Sequence, residues 1–480
     1  MLSKLTPLKE DLTRILESSR VVSDLVELIT YECDGLTMSK SLPDLVVYPT
    51  STEEVVGIVK ACANRGVPFL ARGAGTGLSG GAVATHGGVI IQMSLMNRIL
   101  RIDLEDEIAV VQPGTVNLHL SDETLSAGYH FAPDPSSQKA CTIGGNVAEN
   151  AGGPHTLKYG VTTNHILGMK VVLPSGELLE LGGPFGEATG YDLTGLFVGS
   201  EGTFGVITEI TVRLIRNPES HRTFLATFDS IEQACNAVSG IISSSIIPAA
   251  LELMDNLVIR AIESHLKAGF PTEAEAILLI EIDGIETVLE EEEKEIERIC
   301  RAERAVKVQL TGLEEERQRL WRGRKEAIGA LGKITPAFYT NDGVVPRSKL
   351  PRILRSDVEI GEKYGLRVAH VCHAGDGNIH PIILYNPDHP KEVEAALRIS
   401  EEILKECVDL GGALTGEHGI GAEKKEYFHL MFSEDDQSQM MRLWDLFNPE
   451  SLLNPEKIFP NGSRCGEVGF SRNLSGSGWL

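Results

Sequence analysis

The spacing of hydrophobic and polar positions changes period several times along the chain. Over 8–29 the Leu, Ile and Val residues recur at helical intervals among polar ones, which predicts short helices in an N-terminal extension over 1–38. Ser51 and Glu54 form a capping-box pattern, and the helix they open presents Val55, Ile58, Val59 and Cys62 on one face before Gly66 closes it. The period then shortens: 67–72, 89–93 and 108–112 read as strands and 116–127 as a helix. The runs 166–173 and 178–181 read as a hairpin about Pro174, Ser175 and Gly176. A β-rich run at 205–215 closes this first unit.

From residue 217 strands and helices alternate: strand 222–228, helix 231–242, strand 249–254, helix 255–267, strand 276–283, helix 285–305, strand 306–310. That order predicts a small sheet covered by helices on one face. The acidic run 290–293 is a solvated helix face. Further helices are expected at 313–331, 391–410 and 435–447, and the Gly- and Ser-rich 461–480 reads as a flexible tail. Between them, 366–372 and 379–384 form a second hairpin joined through Ala374, Gly375, Asp376 and Gly377. If His373 opposes Asn378, strand alternation sets His373, Asn378 and His380 on one face and turns His370 away.

Composition narrows the class. The 480 residues, 42% hydrophobic and 23% charged, suit about two to four ordinary domains and exclude a disordered or fibrous chain. A net charge of -24 removes nucleic acid and anionic membrane surfaces as main partners, so any anionic substrate needs local positive charge. No apolar run reaches the roughly 18 to 20 residues of a membrane span, and 1–23 has no signal-peptide core, so a soluble, cytoplasmic protein is expected. The eight cysteines are dispersed without a CxxC pair, which excludes a disulfide framework and a zinc knuckle. The 49 glycines, by contrast, cluster over 73–88 and 144–160.

Gly75, Thr76, Gly77, Leu78, Ser79, Gly80 spells G-x-G-x-x-G. A dinucleotide loop of that kind opens a helix, whereas here 81–88 leads into the strand 89–93, so the Rossmann reading fails. What survives is a nest of backbone N–H groups able to cradle a phosphate. A second glycine-rich stretch runs from Pro133 and Asp134 through Thr142, Gly144, Gly145, Asn146, Gly152 and Gly153 to Tyr159 and Gly160, and two cradles in one unit suit a pyrophosphate. Together with 190–193 and the run GSEGTFGVIT at 199–208, these motifs resemble the FAD domain of the vanillyl-alcohol oxidase superfamily. The resemblance covers about 40–217 and implies FAD held in extended form between two subdomains. It sets Arg72, Gly73, Gly75, Thr76, Gly77, Ser79, Gly80 and Gly81 on the pyrophosphate and 142–153 along the ribityl chain and isoalloxazine, with Pro133, Asp134, Tyr159, Gly160, Glu201 and Ile207 completing the site. Some members attach the flavin to a histidine of the first loop; 72–84 contains none, so non-covalent FAD is implied.

In the second unit, His373 and His380 on one hairpin face and Glu417 in a Gly-flanked turn make two imidazoles and one carboxylate, a frequent ligand set of catalytic metals. The same residues also describe ordinary polar loops, and a metal-dependent hydrolase would use the same trio with the glycine loops merely structural. HAGDGNIH at 373–380 and GEHG at 416–419 resemble the paired motifs of the FAD-linked 2-hydroxy acid dehydrogenase branch, which includes the D-type flavin subunit of glycolate oxidases, D-lactate dehydrogenases and 2-hydroxyglutarate dehydrogenases. The resemblance implies His373, His380 and Glu417 as ligands of a divalent metal (zinc, manganese or iron), His418 as the base, Arg324 as the group for the substrate carboxylate, and Asn454 with Lys457 in a C-terminal segment that returns to the flavin. Arg324 stands among Arg317, Arg319, Arg322 and Lys325, a setting that also fits an exposed helix arginine. Where the hydroxyglutarate enzymes carry a lysine before tyrosine and aspartate, this chain has Tyr339, Thr340, Asn341 and Asp342, which favours a short monocarboxylate.

The expected fold class is therefore α+β: a two-subdomain PCMH-type FAD-binding domain at 39–217, and a cap at 218–430 with a mainly antiparallel sheet covered by helices. A segment at 431–460 returns to the flavin domain. The expected reaction is FAD-dependent oxidation of a short 2-hydroxy acid to the 2-oxo acid, glycolate before D-lactate. A catalytically silent flavin-binding protein would lack the base, and His418 speaks against it. The branch also implies partners, a second flavoprotein-like subunit and an iron-sulfur subunit, through which the chain would sit at the inner membrane.

Overall fold

The computed structural model describes residues 2–185 and 190–460; the tail expected at 461–480 lies outside the described residues. In the first lobe, Leu45–Val47, the helix Thr52–Arg65, Phe69–Arg72 and Val89–Gln92 build a small sheet in which Val89–Gln92 runs parallel to both neighbours. Ser51 caps the helix by accepting from the Glu54 amide, and Gly66 ends it in the left-handed conformation, as the capping pattern predicts. Its face of Val55, Ile58, Val59 and Cys62 is fully buried. That face packs between the small sheet and Val172 and Val206 of a second, five-stranded antiparallel sheet. The extension is more regular than expected: Leu2–Ile15 is one helix, with Leu8, Leu12 and Leu16 buried in the same core.

The cap is built on an eight-stranded antiparallel sheet whose order begins Lys307–Thr311, Ser220–Phe228, Ala276–Gly284, Ala250–Asp255, Arg367–His373, Asn378–Tyr385. Helices cover both faces, not one. Ile231–Ser243, Glu286–Ala302, Leu350–Tyr364 and Pro390–Asp409 lie over Leu251, Leu253, Leu278 and Ile280. Asn256–His265, Glu314–Lys325 and Ala327–Leu331 lie over Ala250, Met254, Ile277 and Leu279. Central strands that are apolar at both parities bury both sides, and the one-face expectation overlooked that. The helix expected at 313–331 is broken at Glu326. Leu350–Tyr364, absent from the sequence reading, carries Pro351 in its first turn, which resembles a loop signal but suits a helix start.

The two lobes meet along a seam of buried charge. His155 of the first lobe lies 2.9 Å from Asp134 and 3.5 Å from Glu281 of the cap sheet, and Lys325 Nζ lies 3.3 Å from Asp134. Lys158 and Tyr159 of the first lobe both hold Asp283, the tyrosine hydroxyl at 2.7 Å. The chain then returns: Leu453 pairs with Phe69, whose amide donates to Leu452 and whose carbonyl accepts from Asn454.

Burial alone would lower the His155 pKa, but Asp134 and Glu281 outweigh it and raise it to about 10. A raised folded-state pKa stabilises fully below the ordinary imidazole value, about 6.5, and the contribution is lost as pH rises through about 10. His155→Ala is therefore expected to cost about 1–3 kcal/mol at pH 6 to 7, because it takes a charged partner from two buried carboxylates, and the gap in thermal midpoint between wild type and variant is expected to close as the melts are repeated towards pH 10.

Candidate active site between the lobes

The first glycine loop leaves the strand Phe69–Arg72 and does not enter a helix. Gly75 and Gly80 sit at φ of 69° and 76°, which only glycine adopts without strain. Among the described residues, no backbone amide over 75–81 donates a hydrogen bond within the chain. A Cβ on Gly77 would meet nothing within 4 Å, whereas one on Gly73 or Gly75 would collide with Thr142 or Arg72. A row of unengaged amides beside open space fits a pyrophosphate. Arg72 braces the loop, its guanidinium donating to the carbonyls of Ala82 at 3.0 Å and Cys33 at 2.8 Å.

A cavity of about 360 Å³ runs from this loop into the cap. Arg72, Gly73, Gly75, Thr76, Gly77 and Gly81 line one end, and Thr142, Gly144, Gly145, Asn146 and Gly152 one wall. Thr142–Gly145 is not all loop: Thr142 caps a short helix, Ile143–Glu149, which the two glycines concealed in the sequence. Glu201, Ile207 and Asn454 also face the cavity, and Asn454 Nδ2 ties Gly81 to Glu201 through their carbonyls at 3.0 and 2.9 Å. The other end is formed by Arg324, His373, His380, Glu417 and His418.

Seven expected cofactor residues lie off the cavity. Ser79 and Gly80 pack under the 416–421 turn, Ser79 accepting from the amides of Ala422 and Glu423. Pro133 accepts from Asn117, and Asp134 and Tyr159 belong to the interlobe seam. Gly153 and Gly160 make close approaches to Asp134 and Asn164.

In the histidine hairpin His373 opposes Asn378, the pairing on which the shared face depended, and His380 opposes Val371. His370 points to the opposite face, between Asp255 and Asp357. His373 Nε2 and His380 Nε2 lie 3.3 and 3.2 Å from Glu417 Oε1, and the two rings stand at 88°. Perpendicular rings let two in-plane lone pairs converge on one point beside the carboxylate, as a metal requires. Asp342, His380 and His418 also bring donor atoms together, but the rings of His380 and His418 stack at 7°, so their lone pairs lie in separate, nearly parallel planes. The donor set His373, His380, Glu417 thus fits a divalent cation. Burial would raise Glu417, yet the two imidazoles hold it well below the usual carboxylate range. Burial would likewise lower His373, yet Glu252 and Glu417 hold it well above its ordinary value. A cation therefore competes with a proton for this cluster. Burial lowers His418 to about 4, leaving it neutral at pH 7.

Two carboxylates pin the 416–421 turn from opposite sides. Asp342 Oδ2 accepts from Thr415 Oγ1 at 2.5 Å and from the amides of Gly416, Glu417 and His418 at 2.9, 3.1 and 2.9 Å. Glu201 accepts from the amides of Ile420 and Gly421, both at 2.7 Å. Sequence reasoning named Asp342 only within the stretch that stands in place of a lysine and gave it no role in the turn, and it overlooked Glu252, which holds His373 Nδ1 at 2.8 Å and Arg324 Nε at 2.6 Å. Glu252 had a legible signal: it is the lone acid inside the apolar strand Ala250–Asp255, apart from that strand's last residue, and an isolated buried acid needs partners. Arg324 is no exposed helix arginine, being 3% exposed with its fork on Glu252.

Two family models match the chain. Residues 43–182 match the model described as FAD binding domain, and 217–458 match that described as FAD linked oxidases, C-terminal domain. The chain belongs to the FAD-linked oxidase family. It is 46% identical over 443 residues to glycolate oxidase subunit GlcD of Escherichia coli (strain K12), covering 92% of this chain and 89% of that one. It is 33% identical over 428 residues to a D-lactate dehydrogenase of Anaerostipes hadrus, covering 87% and 90%. Among solved structures, p-cresol methylhydroxylase with substrate bound superposes with a TM-score of 0.81 at 17% identity, over 95% of this chain and 97% of that one, a likeness of fold. No helix among the described residues is long and apolar enough to cross a membrane.

Asp342→Asn keeps the shape of the pin and gives up its charge. It is expected to destabilise the protein by about 1.5–3 kcal/mol, the worth of hydrogen bonds to a charged acceptor, seen as a lower urea midpoint at an unchanged slope.

Proposed function

We propose that the protein oxidises a short 2-hydroxy acid to the 2-oxo acid with non-covalent FAD and a divalent metal, glycolate as first substrate and D-lactate as second. The observation that carries this reading is the convergence of His373, His380 and Glu417, with neutral His418 beside them, at the end of a cavity that begins at the glycine cradle. The FAD-linked oxidase membership and the activities for which the two relatives are named support it. Bound FAD would accept the α-hydrogen with its electron pair, and a metal held by His373, His380 and Glu417 would act as Lewis acid toward hydroxyl and carboxylate. The remaining tasks fall to side chains. Arg324 holds the substrate carboxylate and fixes which face of the α-carbon is presented. His418 receives the hydroxyl proton at Nε2, its Nδ1 being buried. Asp342 and Glu201 hold the turn that aims it.

Tyr339, Asn341 and Asp342, all buried, stand in the sequence where the hydroxyglutarate enzymes that the chain resembles carry a lysine. Lacking that cation, the site favours a monocarboxylate. The seven described cysteines are free thiols and six are buried, so electrons leave through an external acceptor, for which we infer a second flavoprotein-like subunit and an iron-sulfur subunit.

The decisive experiment is anaerobic: glycolate, D-lactate, L-lactate and D-2-hydroxyglutarate are added separately to the yellow protein and the visible spectrum is followed. Glycolate is expected to bleach the flavin, a chelator to stop the bleaching and a divalent metal to restore it. His418→Ala is expected to keep its flavin and lose reduction by about 10²–10⁴-fold, the usual worth of a general base. Reduction at the wild-type rate would remove His418 from the reaction, and a protein that takes up no FAD would overturn the reading as a whole.

A further inference from the structure

We propose that Glu252 is a positioning residue through which metal binding and substrate-carboxylate binding strengthen one another. The inference rests on the function proposed above and adds a residue to it. Glu252 lies on the strand Ala250–Asp255, inside the eight-stranded sheet, fully buried and directly opposite His373 in register. Its two oxygens serve different groups. Oε1 lies 2.8 Å from His373 Nδ1, and Oε2 accepts from Arg324 Nε at 2.6 Å and Nη2 at 2.5 Å. Arg324 Nη2 is itself 3.5 Å from His373 Nδ1, so the three side chains close a triangle.

Each corner of the triangle does a separate task at the cavity. With its Nδ1 hydrogen on Glu252, His373 keeps the tautomer whose Nε2 lone pair faces Glu417 and His380. With Nε and Nη2 on Glu252, Arg324 has a fixed plane and leaves Nη1 as the nitrogen that Glu252 does not engage. A cation at His373 Nε2 makes Nδ1–H a stronger donor, draws charge from Glu252 and loosens the hold of Glu252 on Arg324. The guanidinium then meets an incoming carboxylate with more of its charge available. In the other direction, a carboxylate on Arg324 offsets the guanidinium and leaves more of Glu252 for His373, which makes Nε2 a better ligand. Linkage requires the two effects to be equal. Serine, asparagine or water at position 252 could orient His373 alone; only a group with two anionic oxygens reaches both corners.

The test uses the FAD-loaded full chain, with zinc as the metal probe and propionate, a carboxylate without the hydroxyl, as the anion probe. Zinc affinity is measured by competition with a chromophoric chelator and propionate by the shift it causes in the flavin spectrum. Glu252→Gln is expected to raise the zinc Kd about 10- to 100-fold, as loss of an outer partner of a ligand histidine does. In wild type, zinc is expected to tighten propionate about fivefold or more, and in Glu252→Gln that factor is expected to fall towards one. A flavin-loaded variant with an unchanged zinc Kd overturns the proposal. So does a variant in which zinc still tightens propionate as in wild type, since the coupling would then run through direct contact. If Glu252→Gln takes up no flavin, Glu252→Asp keeps the charge but withdraws it by one methylene; both losses are expected there too, and their absence overturns the proposal. Wild type that takes up FAD and no zinc overturns the metal assignment itself, whereas zinc binding with no response at position 252 overturns only this inference.

Discussion

The cap sheet carries two fully buried carboxylates, Glu252 and Glu281, and the site depends on how they are neutralised. Glu281 and Glu252 lie on neighbouring strands, on the same face, where an unpaired charge would cost several kcal/mol. One helix, Glu314–Lys325, answers both. Arg317, Trp321 and Arg324 recur at i, i+4 and i+7 and share one of its faces. Arg317 and Trp321 meet Glu281, the guanidinium with two contacts of 2.8 Å and the indole at 2.7 Å, while Arg324 meets Glu252. The helix is fixed in rotation and translation by charge, and Arg324 reaches the cavity as a result.

The same logic extends to the neighbours of these acids. Glu281 also draws His155 from the first lobe, so the contact that settles the cap helix also closes the lobes over the cavity. Glu252 draws His373, so the helix and the histidine hairpin share one carboxylate. On the far side, Asp342 and Glu201 grip one turn from two lobes, which brings Glu417 and His418 to the hairpin. Four segments distant in the chain thereby converge, each held by a buried acid rather than by apolar packing alone. Directional groups suit this task, because hydrogen bonds to a carboxylate fix orientation where hydrophobic contacts fix only proximity.

Much of this was legible before folding. Once His373 is set opposite Asn378, the common face of His373, Asn378 and His380 follows from strand alternation, because side chains alternate strictly along a strand. The failure of the Rossmann reading followed from what came after the glycines. Less legible were elements whose signals conflict: Ile143–Glu149, with two glycines in its first turn, and Leu350–Tyr364, with its early proline. Helices on both faces of the cap sheet were implied by central strands apolar at both parities, yet the order of elements along the chain does not assign helices to sides.

The sequence by itself determined the local chemistry: which residues can carry a lone pair, a charge or a left-handed turn, and which of them share a strand face. It brought together His373 and His380, which are seven residues apart on one hairpin. It left Asp342, Glu252 and Arg324 without partners, because nothing in the order of residues says that position 252 lies opposite 373 or that 342 lies beneath 416–418. Only the tertiary structure decided those pairings, since they arise where strands and turns far apart in the chain are pressed together and every buried charge must find its counterpart.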